Sequence, residues 1–224
     1  MKTDDSDTSA RRQLIRAARQ RMQAKGRRGL RRRPPMPRRP EGIRREYRSD
    51  IRRMVKRQGE EINRLLKPQL KSLLTEAGTR GDAEHSDSWS DRIAEIMQAV
   101  RSNLSNDVQG LEERLPEYAN RITEHTDEDV KRQLRAVVGV SPTLTRSIDD
   151  KVDSWVATNS SLIRTLNEEQ IGEVERIVQR EVRRGSSVRE ITRKINKQVN
   201  NGNYRAERIA RTESGQLYAQ ISRE

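Results

Sequence analysis

The sequence predicts an all-α protein, an elongated bundle of long amphipathic helices with a disordered, Arg/Pro-rich N-terminal arm. Hydrophobic residues make up 31% of the 224 residues, charged residues 36% and aromatic residues 3%, which is too little apolar material for one large globular core. Apolar residues recur at steps of three, four and seven along most of the chain, as they do on one face of a helix. No segment shows the convincing alternation of apolar and polar residues that indicates a strand.

Positive charge is concentrated near the N-terminus. Residues 1–57 contain 21 Lys and Arg against 6 Asp and Glu, a net charge of +15, whereas residues 58–224 contain 26 against 28 and carry −2. A short helix is predicted from about 10 to 25, but the prolines within residues 27–40 forbid helix and favour extended polyproline II chain. We therefore assign residues 1–42 to a disordered basic arm.

Residues 43–140 form a predicted long-helix region. Helical periodicity begins at its start, and Pro68 is expected to kink or restart the helix because proline lacks the amide donor. The Gly, Asp and Ser content of residues 78–88 indicates a loop. A second long helix follows and is interrupted at Pro116, after which Asp127 is predicted to cap a shorter helix.

The C-terminal third is predicted to hold four helices. The first spans about 145–158 and ends at Asn159. The second ends at Gly185, where cations in the last turn precede a glycine suited to left-handed backbone. Ser187 is predicted to cap the third helix, and the polar residues 200–203 are predicted to form a loop before the last one.

The block from about 159 to 220 carries several features in a fixed order. An Asn and a Leu-Ile pair open it, a helix ending in Gly-Ser follows, and a short amphipathic helix precedes the sequence RAERIARTE at 205–213. In this order the block resembles the phage head morphogenesis family, which includes the phage Mu F-like minor head proteins. The most distinctive motif of that family is matched at Arg205, Ala206, Ile209, Ala210, Arg211, Thr212 and Glu213.

The resemblance implies a minor head protein of a tailed phage. Such a protein is a low-copy procapsid component that associates with portal or inner capsid proteins and helps head assembly, genome packaging or delivery. It further implies a helical head-morphogenesis-like domain over 141–224 and a place in the virion, in the head interior or at the portal vertex, after assembly in the host cytoplasm. Family members commonly continue past the motif, so three interpretations of the end at Glu224 stay open: a truncated chain, a short member of the family, and one half of a split gene.

Glu213 occupies an unusual position within this motif. At 100° per residue it lies on the apolar face that the motif's alanines and Ile209 form. A carboxylate there needs a cation or several hydrogen-bond donors, and Arg205 and Arg208 lie to one side. Two interpretations stay open: a buried polar lock, within the fold or against a partner, and a device that only fixes helix register. Arg211 points about 200° away from Glu213, so the two do not form a catalytic pair.

The arginines of the arm predict contact with nucleic acid. Their forked guanidinium groups suit phosphate oxygens, and no aromatic side chain lies among them for base stacking, so we expect sequence-independent binding to double-stranded DNA. Contact with about eight phosphates would give a slope of log K against log salt of roughly −7. An acidic protein partner is the alternative target, and a membrane is disfavoured because apolar anchors are few. The predicted DNA-binding residues are Arg11, Arg12, Arg16, Arg27, Arg28, Arg31, Arg32, Arg33, Arg38 and Arg39.

Several other classes of protein lack support in the sequence. There is no Cys and there are only two His residues, which argues against thiolate or His-rich metal sites, and no phosphate-binding loop or familiar catalytic motif occurs. We therefore expect no enzyme activity, metal, cofactor or small-molecule substrate, and we interpret Asp149, Asp150 and Asp153 as complementing a helix dipole. No apolar run approaches the roughly 20 residues of a membrane span. The alternative function is a free, sequence-independent nucleic-acid-binding or condensing protein.

Overall fold

The computed structural model describes residues 35–79, 86–138 and 148–222, and nearly all of these residues are helical. No strand occurs in these three segments, so the all-α prediction is confirmed for the described chain. The predicted helix over 10–25 lies outside the described residues, as do the arm arginines before residue 35. The helices are α1 Glu41–Leu66, α2 Leu70–Thr79, α3 Ser86–Glu113, α4 Leu115–Val138, α5 Asp149–Arg183 and α6 Val188–Ser222.

The bundle is built around antiparallel neighbours. Helices α1 and α6 run in opposite directions, because Arg48 pairs with Glu207 at 3.2 Å near one end and the Asn63 amide donates to Asn196 at 3.3 Å near the other. Helix α3 packs on α1 and α5, and α4 packs on α5 and α6. Helices α5 and α6 have 35 residues each, which corresponds to a length of about 52 Å.

Two separate apolar clusters form the core. We call the first the aromatic core, because it contains Tyr47, Tyr118 and Trp155 together with aliphatic residues of α1, α3, α4, α5 and α6. The second, the aliphatic core, is built mainly from Ile, Leu and Val of α1, α2, α3, α5 and α6, with Trp89 as its aromatic member. Each core combines residues from 43–140 with residues from 141–224, so these two regions of the sequence fold together.

A polar layer separates the two cores. The buried Gln58 amide donates to the carbonyl and side-chain oxygens of Asn167, both at 2.9 Å. Gly202 faces Gln170, and a Cβ atom at Gly202 would lie 1.8 Å from Gln170 Oε1. A larger residue at this crossing of α5 and α6 would therefore require the buried Gln170 side chain to move. Within the described chain, Gln58 Oε1 and Gln170 Nε2 are buried without a hydrogen-bond partner.

Two predicted helix breaks in the C-terminal third are wrong. Helix α5 continues through Asn159, whose side-chain amide donates to the Trp155 carbonyl at 2.8 Å, one turn earlier. Helix α6 continues through residues 200–203, where Gly202 lies against Gln170 instead of opening a loop. In both cases a contact inside the fold overrides the local tendency of Asn and Gly to interrupt helices.

The predictions for the long-helix region have mixed outcomes. Pro68 lies between α1 and α2, and Pro116 stands in the first turn of α4, as expected from the missing amide. The helix start predicted at Asp127 is wrong, because α4 runs unbroken past it and Asp127 pairs with Lys131 at 2.7 Å. Both ends of the predicted loop at 78–88 are helical, since α2 reaches Thr79 and α3 begins at Ser86, and residues 80–85 lie outside the described residues.

Candidate functional site

The described end of the arm is held against α4. The Arg38 backbone N–H donates to Asp129 Oδ2 at 3.0 Å, and the Arg132 guanidinium donates to the Met36 carbonyl at 2.8 Å. Pro40 is buried just before α1 begins. The expectation of a disordered arm up to residue 42 therefore needs correction at its end: residues 36–40 are not helical, yet they have fixed partners on the body. We call residues 36–40 the arm root.

Asp129 is the anchor of the arm root. Its side chain is almost completely buried and pairs with Arg132. It also accepts hydrogen bonds from the Gln133 amide at 2.8 Å and from the Tyr218 hydroxyl at 3.1 Å. Burial alone would raise the pKa of Asp129, but the hydrogen bonds from Arg132, the Arg38 N–H, Gln133 and Tyr218 outweigh it and hold the pKa below its usual value. The charged form is therefore stable inside the fold and connects α4, α6 and the arm root.

A groove beside this anchor brings three parts of the chain together. The exposed Arg39 of the arm root, Arg44 at the start of α1 and Arg211 of the 205–213 motif all line it, with Tyr218 and Gly215 of α6. Two of the predicted DNA-binding residues, Arg38 and Arg39, have exposed side chains, and Arg39 lines the groove together with Arg211. The remaining eight, from Arg11 to Arg33, lie outside the described residues.

The motif residues divide into a buried and an exposed set. Ala206 and Ala210 are buried, and Ile209 is half-buried against the aromatic core, as their spacing predicts. Arg211 and Thr212 are exposed.

Among the described residues, Glu213 forms no ion pair with arginine. It is only 9% exposed, but among the described residues Arg205 pairs with Glu169 of α5 instead, and Arg208 is exposed. Arg205 and Arg208 lie about 80° and 140° around the helix from Glu213, which places them over other neighbours. Burial raises the pKa of Glu213. A lock against a partner stays a prediction.

Sequence reasoning missed a chain of hydrogen bonds through the aromatic core. The Tyr47 hydroxyl donates to Asn159 Oδ1 at 2.7 Å, and Trp155 Nε1 donates to the Glu213 carbonyl at 3.0 Å. The Tyr47 ring lies 5.7 Å from that of Trp155 and 5.3 Å from that of Tyr118. This network holds α1, α5 and α6 in register beneath the motif. The Asn that opens the similar block thus has a clear packing role.

A second buried carboxylate, Glu181, was also missed. It is 1% exposed and accepts hydrogen bonds from Lys194 Nζ at 2.6 Å and Ser186 Oγ at 2.8 Å. The Lys194 hydrogen bond, followed by that from Ser186, lowers the pKa of Glu181 to about 2. The burial of Glu181 was detectable from the sequence, because this residue lies three positions after Val178 on the apolar stripe of α5. Glu213 lies in the same way three positions after Ala210 on α6.

The turn beside Glu181 confirms two predictions. Gly185 has a φ of 67°, and the N–H groups of Gly185 and Ser186 donate to the carbonyls of Val182 and Glu181, both at 3.0 Å. This is the hydrogen-bond pattern of a Schellman motif. Ser187 caps α6, since its hydroxyl accepts the Glu190 N–H at 3.3 Å.

The described residues contain no group of three or more His, Asp or Glu side chains arranged to hold a metal ion. Asp149 and Asp150 stand in the first turn of α5, where they complement the helix dipole. Over the same described ranges, no helix is long and apolar enough to cross a membrane. Comparison with known proteins found no matching family model, no matching curated protein and no matching solved structure.

Proposed function

We propose that this chain is a minor head protein of a tailed phage, which associates with the portal or inner shell and contacts packaged DNA through its basic arm. The order of features over 159–220 and the motif at 205–213 support the head protein. The net charge of +15 on residues 1–57 supports the DNA contact. The protein acts as a structural tether in head assembly, genome packaging or delivery.

One observation carries this proposal furthest. The arm root is fixed by Asp129 and Arg132 and lies beside Arg211 of the motif. The arm therefore leaves the body from a defined point next to the surface that the family resemblance singles out. If residues 1–34 extend at about 3 Å per residue, the arm reaches roughly 100 Å from that point. A body seated on the shell or portal would thus reach DNA inside the head.

The test is the location of the protein in particles. Phage particles are purified from the strain that carries the gene, treated with nuclease and probed with an antibody against the chain. We expect the protein in DNA-filled heads at a few copies per particle, and we expect it to copurify with the portal after the heads are opened. A protein that stays entirely in the soluble fraction would contradict the proposal.

The charge division alone also supports a free nucleic-acid-binding or condensing protein. Such a protein would use the arm without needing a protein-contact surface around Thr212, which is exposed. The substitution Thr212→Tyr, which leaves every arginine in place, distinguishes the two functions. A head protein is expected to lose incorporation into particles, whereas a condensing protein is expected to keep its effect on DNA compaction in the cell.

A further inference from the structure

The two flanks of α1 use their charges differently. On the flank facing α3 and α4, the cations and anions are matched across helices. Arg114 pairs with Asp50, Arg57 with Asp107, and Arg121 with Glu46 at 2.7 Å. These pairs link three helices, so the charges on this flank have a role in the fold.

The flank of α1 that faces α6 has an excess of arginine. Arg45 and Arg52 lie within about 60° of Arg48 around the α1 axis, and Arg48 pairs with Glu207 of α6. Arg45 and Arg52 are exposed. Within the described chain neither forms an ion pair. Among the described residues they have no ion-pair partner that would explain their presence.

Helix α6 adds to the same surface. Arg211 lies about 40° and Arg208 about 100° from Glu207 around the helix axis, and both are exposed without an ion pair in the described segments. Arg39 of the arm root, also unpaired there, extends the surface toward the arm. We call this surface the basic seam; it comprises Arg39, Arg44, Arg45, Arg48, Arg52, Arg208 and Arg211.

The charge of the basic seam is unfavourable for the isolated fold. Of its seven arginines, only Arg44 and Arg48 form ion pairs within the described chain, with Glu41 and Glu207 respectively. Arginines at spacings of three and four on one helix, such as 45, 48 and 52, repel each other and weaken the helix. A row of like charges that costs stability is explained best by an external polyanion.

We propose that the basic seam is a second DNA-binding surface, which continues the path of the arm along the body. This inference rests on the proposed function. Arg45 to Arg52 spans about 10 Å of helix, and duplex DNA presents one phosphate charge per about 1.7 Å, so the spacing of the arginines suits several phosphates. Tyr204 is 74% exposed on the same side of α6 and offers a hydroxyl to the phosphate backbone. The seam binds the backbone of double-stranded DNA without reading its sequence.

The test uses two full-length variants with the same loss of charge. The seam variant carries Arg45→Gln, Arg52→Gln and Arg208→Gln. The control variant carries Arg183→Gln, Arg189→Gln and Arg193→Gln, three exposed arginines near the α5–α6 turn, at least about 20 Å along the helices from Arg208. Both variants are titrated against a duplex of about 30 base pairs by fluorescence anisotropy. The salt concentration is varied from about 50 to 200 mM, a range over which counterion release changes the affinity enough to measure the slope of log K against log salt.

Near physiological salt, we expect the seam variant to bind roughly tenfold or more weakly than the unaltered chain, and its salt slope to be smaller by about 2 to 3. The control variant is expected to keep the salt slope of the unaltered chain. Equal losses in both variants would overturn the seam, because net charge alone would then explain them. If the unaltered chain binds and the seam variant keeps the full salt slope, the proposal that the basic seam binds DNA would also be overturned. The arm would then be the DNA contact. No binding by the unaltered chain would overturn the proposed function itself.

A folding control accompanies the titration. Because the substituted seam residues are exposed and unpaired in the described chain, the seam variant is expected to unfold at the same temperature as the unaltered chain or slightly higher. Circular dichroism checks this. Weak binding together with a large drop in unfolding temperature would contradict the seam, since the arginines would then serve the fold.

Discussion

The aromatic core and the aliphatic core hold the bundle together in different ways. The aromatic core combines tilted rings with hydrogen bonds from Tyr47 and Trp155 that cross between helices. The aliphatic core relies mainly on Ile, Leu and Val. It ends near the turn between α5 and α6, where Glu181 of α5 pairs with Lys194 of α6. The arm root, the motif and the basic seam all lie at the aromatic end. The more directional contacts are thus found where the candidate functional surfaces need fixed positions.

The largest expected effect of a single change is at Trp155. The substitution Trp155→Ala is expected to cost about 3–5 kcal/mol of unfolding free energy, because it opens a large cavity and removes the indole hydrogen bond to the Glu213 carbonyl. Ile195→Val in the aliphatic core, which removes one methylene, is expected to cost about 0.5–1.5 kcal/mol. Urea unfolding measures both. A smaller loss for Trp155→Ala than for Ile195→Val would contradict the importance of the aromatic core.

Glu181→Gln should produce the largest effect at the other end of the bundle. We expect a loss of about 1.5–3 kcal/mol at pH 7, because the charged hydrogen bonds from Lys194 and Ser186 weaken. The folded pKa of about 2 is below the usual 4.5, so this stabilisation is present above about pH 4.5 and is lost as the pH falls toward 2. Glu173→Gln, an exposed glutamate on the same helix, is the control. If the loss of stability caused by Glu181→Gln does not change with pH, the charged hydrogen bonds of Glu181 are not its cause.

The polar layer is tested by a pair of glycines on α5 and α6. Gly202→Ala is expected to cost about 1–3 kcal/mol, since its Cβ would overlap the buried Gln170. Gly172→Ala is expected to gain roughly 0.5–1 kcal/mol as a helical alanine, because no described atom beyond its own helix and chain neighbours lies within 4 Å of its Cβ. Adding Gln170→Ala should recover part of the Gly202→Ala loss. If both glycine variants gain stability, the close crossing of α5 and α6 is not present.

The smallest expected effect is at Glu213. Burial raises its pKa, so the fold tolerates the protonated carboxyl, and the charged form costs more stability as the pH rises from the usual pKa through the folded value. Glu213→Gln is therefore expected to stabilise the protein at pH 7 by about 0.5 kcal/mol or less, and to have no effect below about pH 4. Thermal unfolding at both pH values checks this. Destabilisation at pH 7 would indicate that Glu213 has a cationic partner after all.

Apolar periodicity and the two prolines were sufficient to predict the helical fold and several helix ends. They failed at Asn159 and Gly202, because each of these residues is stabilised within a helix by a partner from a distant part of the chain. The anchor at Asp129 was not predictable for a similar reason. Asp127, Glu128 and Asp129 stand together in the sequence, and only the fold shows that the third is buried against the arm root.

The central claim is that the arm binds DNA through its arginines. Substitution tests it better than truncation, because α1 begins directly after the arm root and supplies Tyr47 to the aromatic core. The full-length chain is compared with a variant in which Arg27, Arg28, Arg31, Arg32 and Arg33 are all replaced by Gln, by titration of duplex DNA across a salt series. We predict that the salt slope falls by about 4 to 5 in the variant. Equal affinity and equal slope for both proteins would contradict the claim and redirect the arm to an acidic protein partner such as the portal.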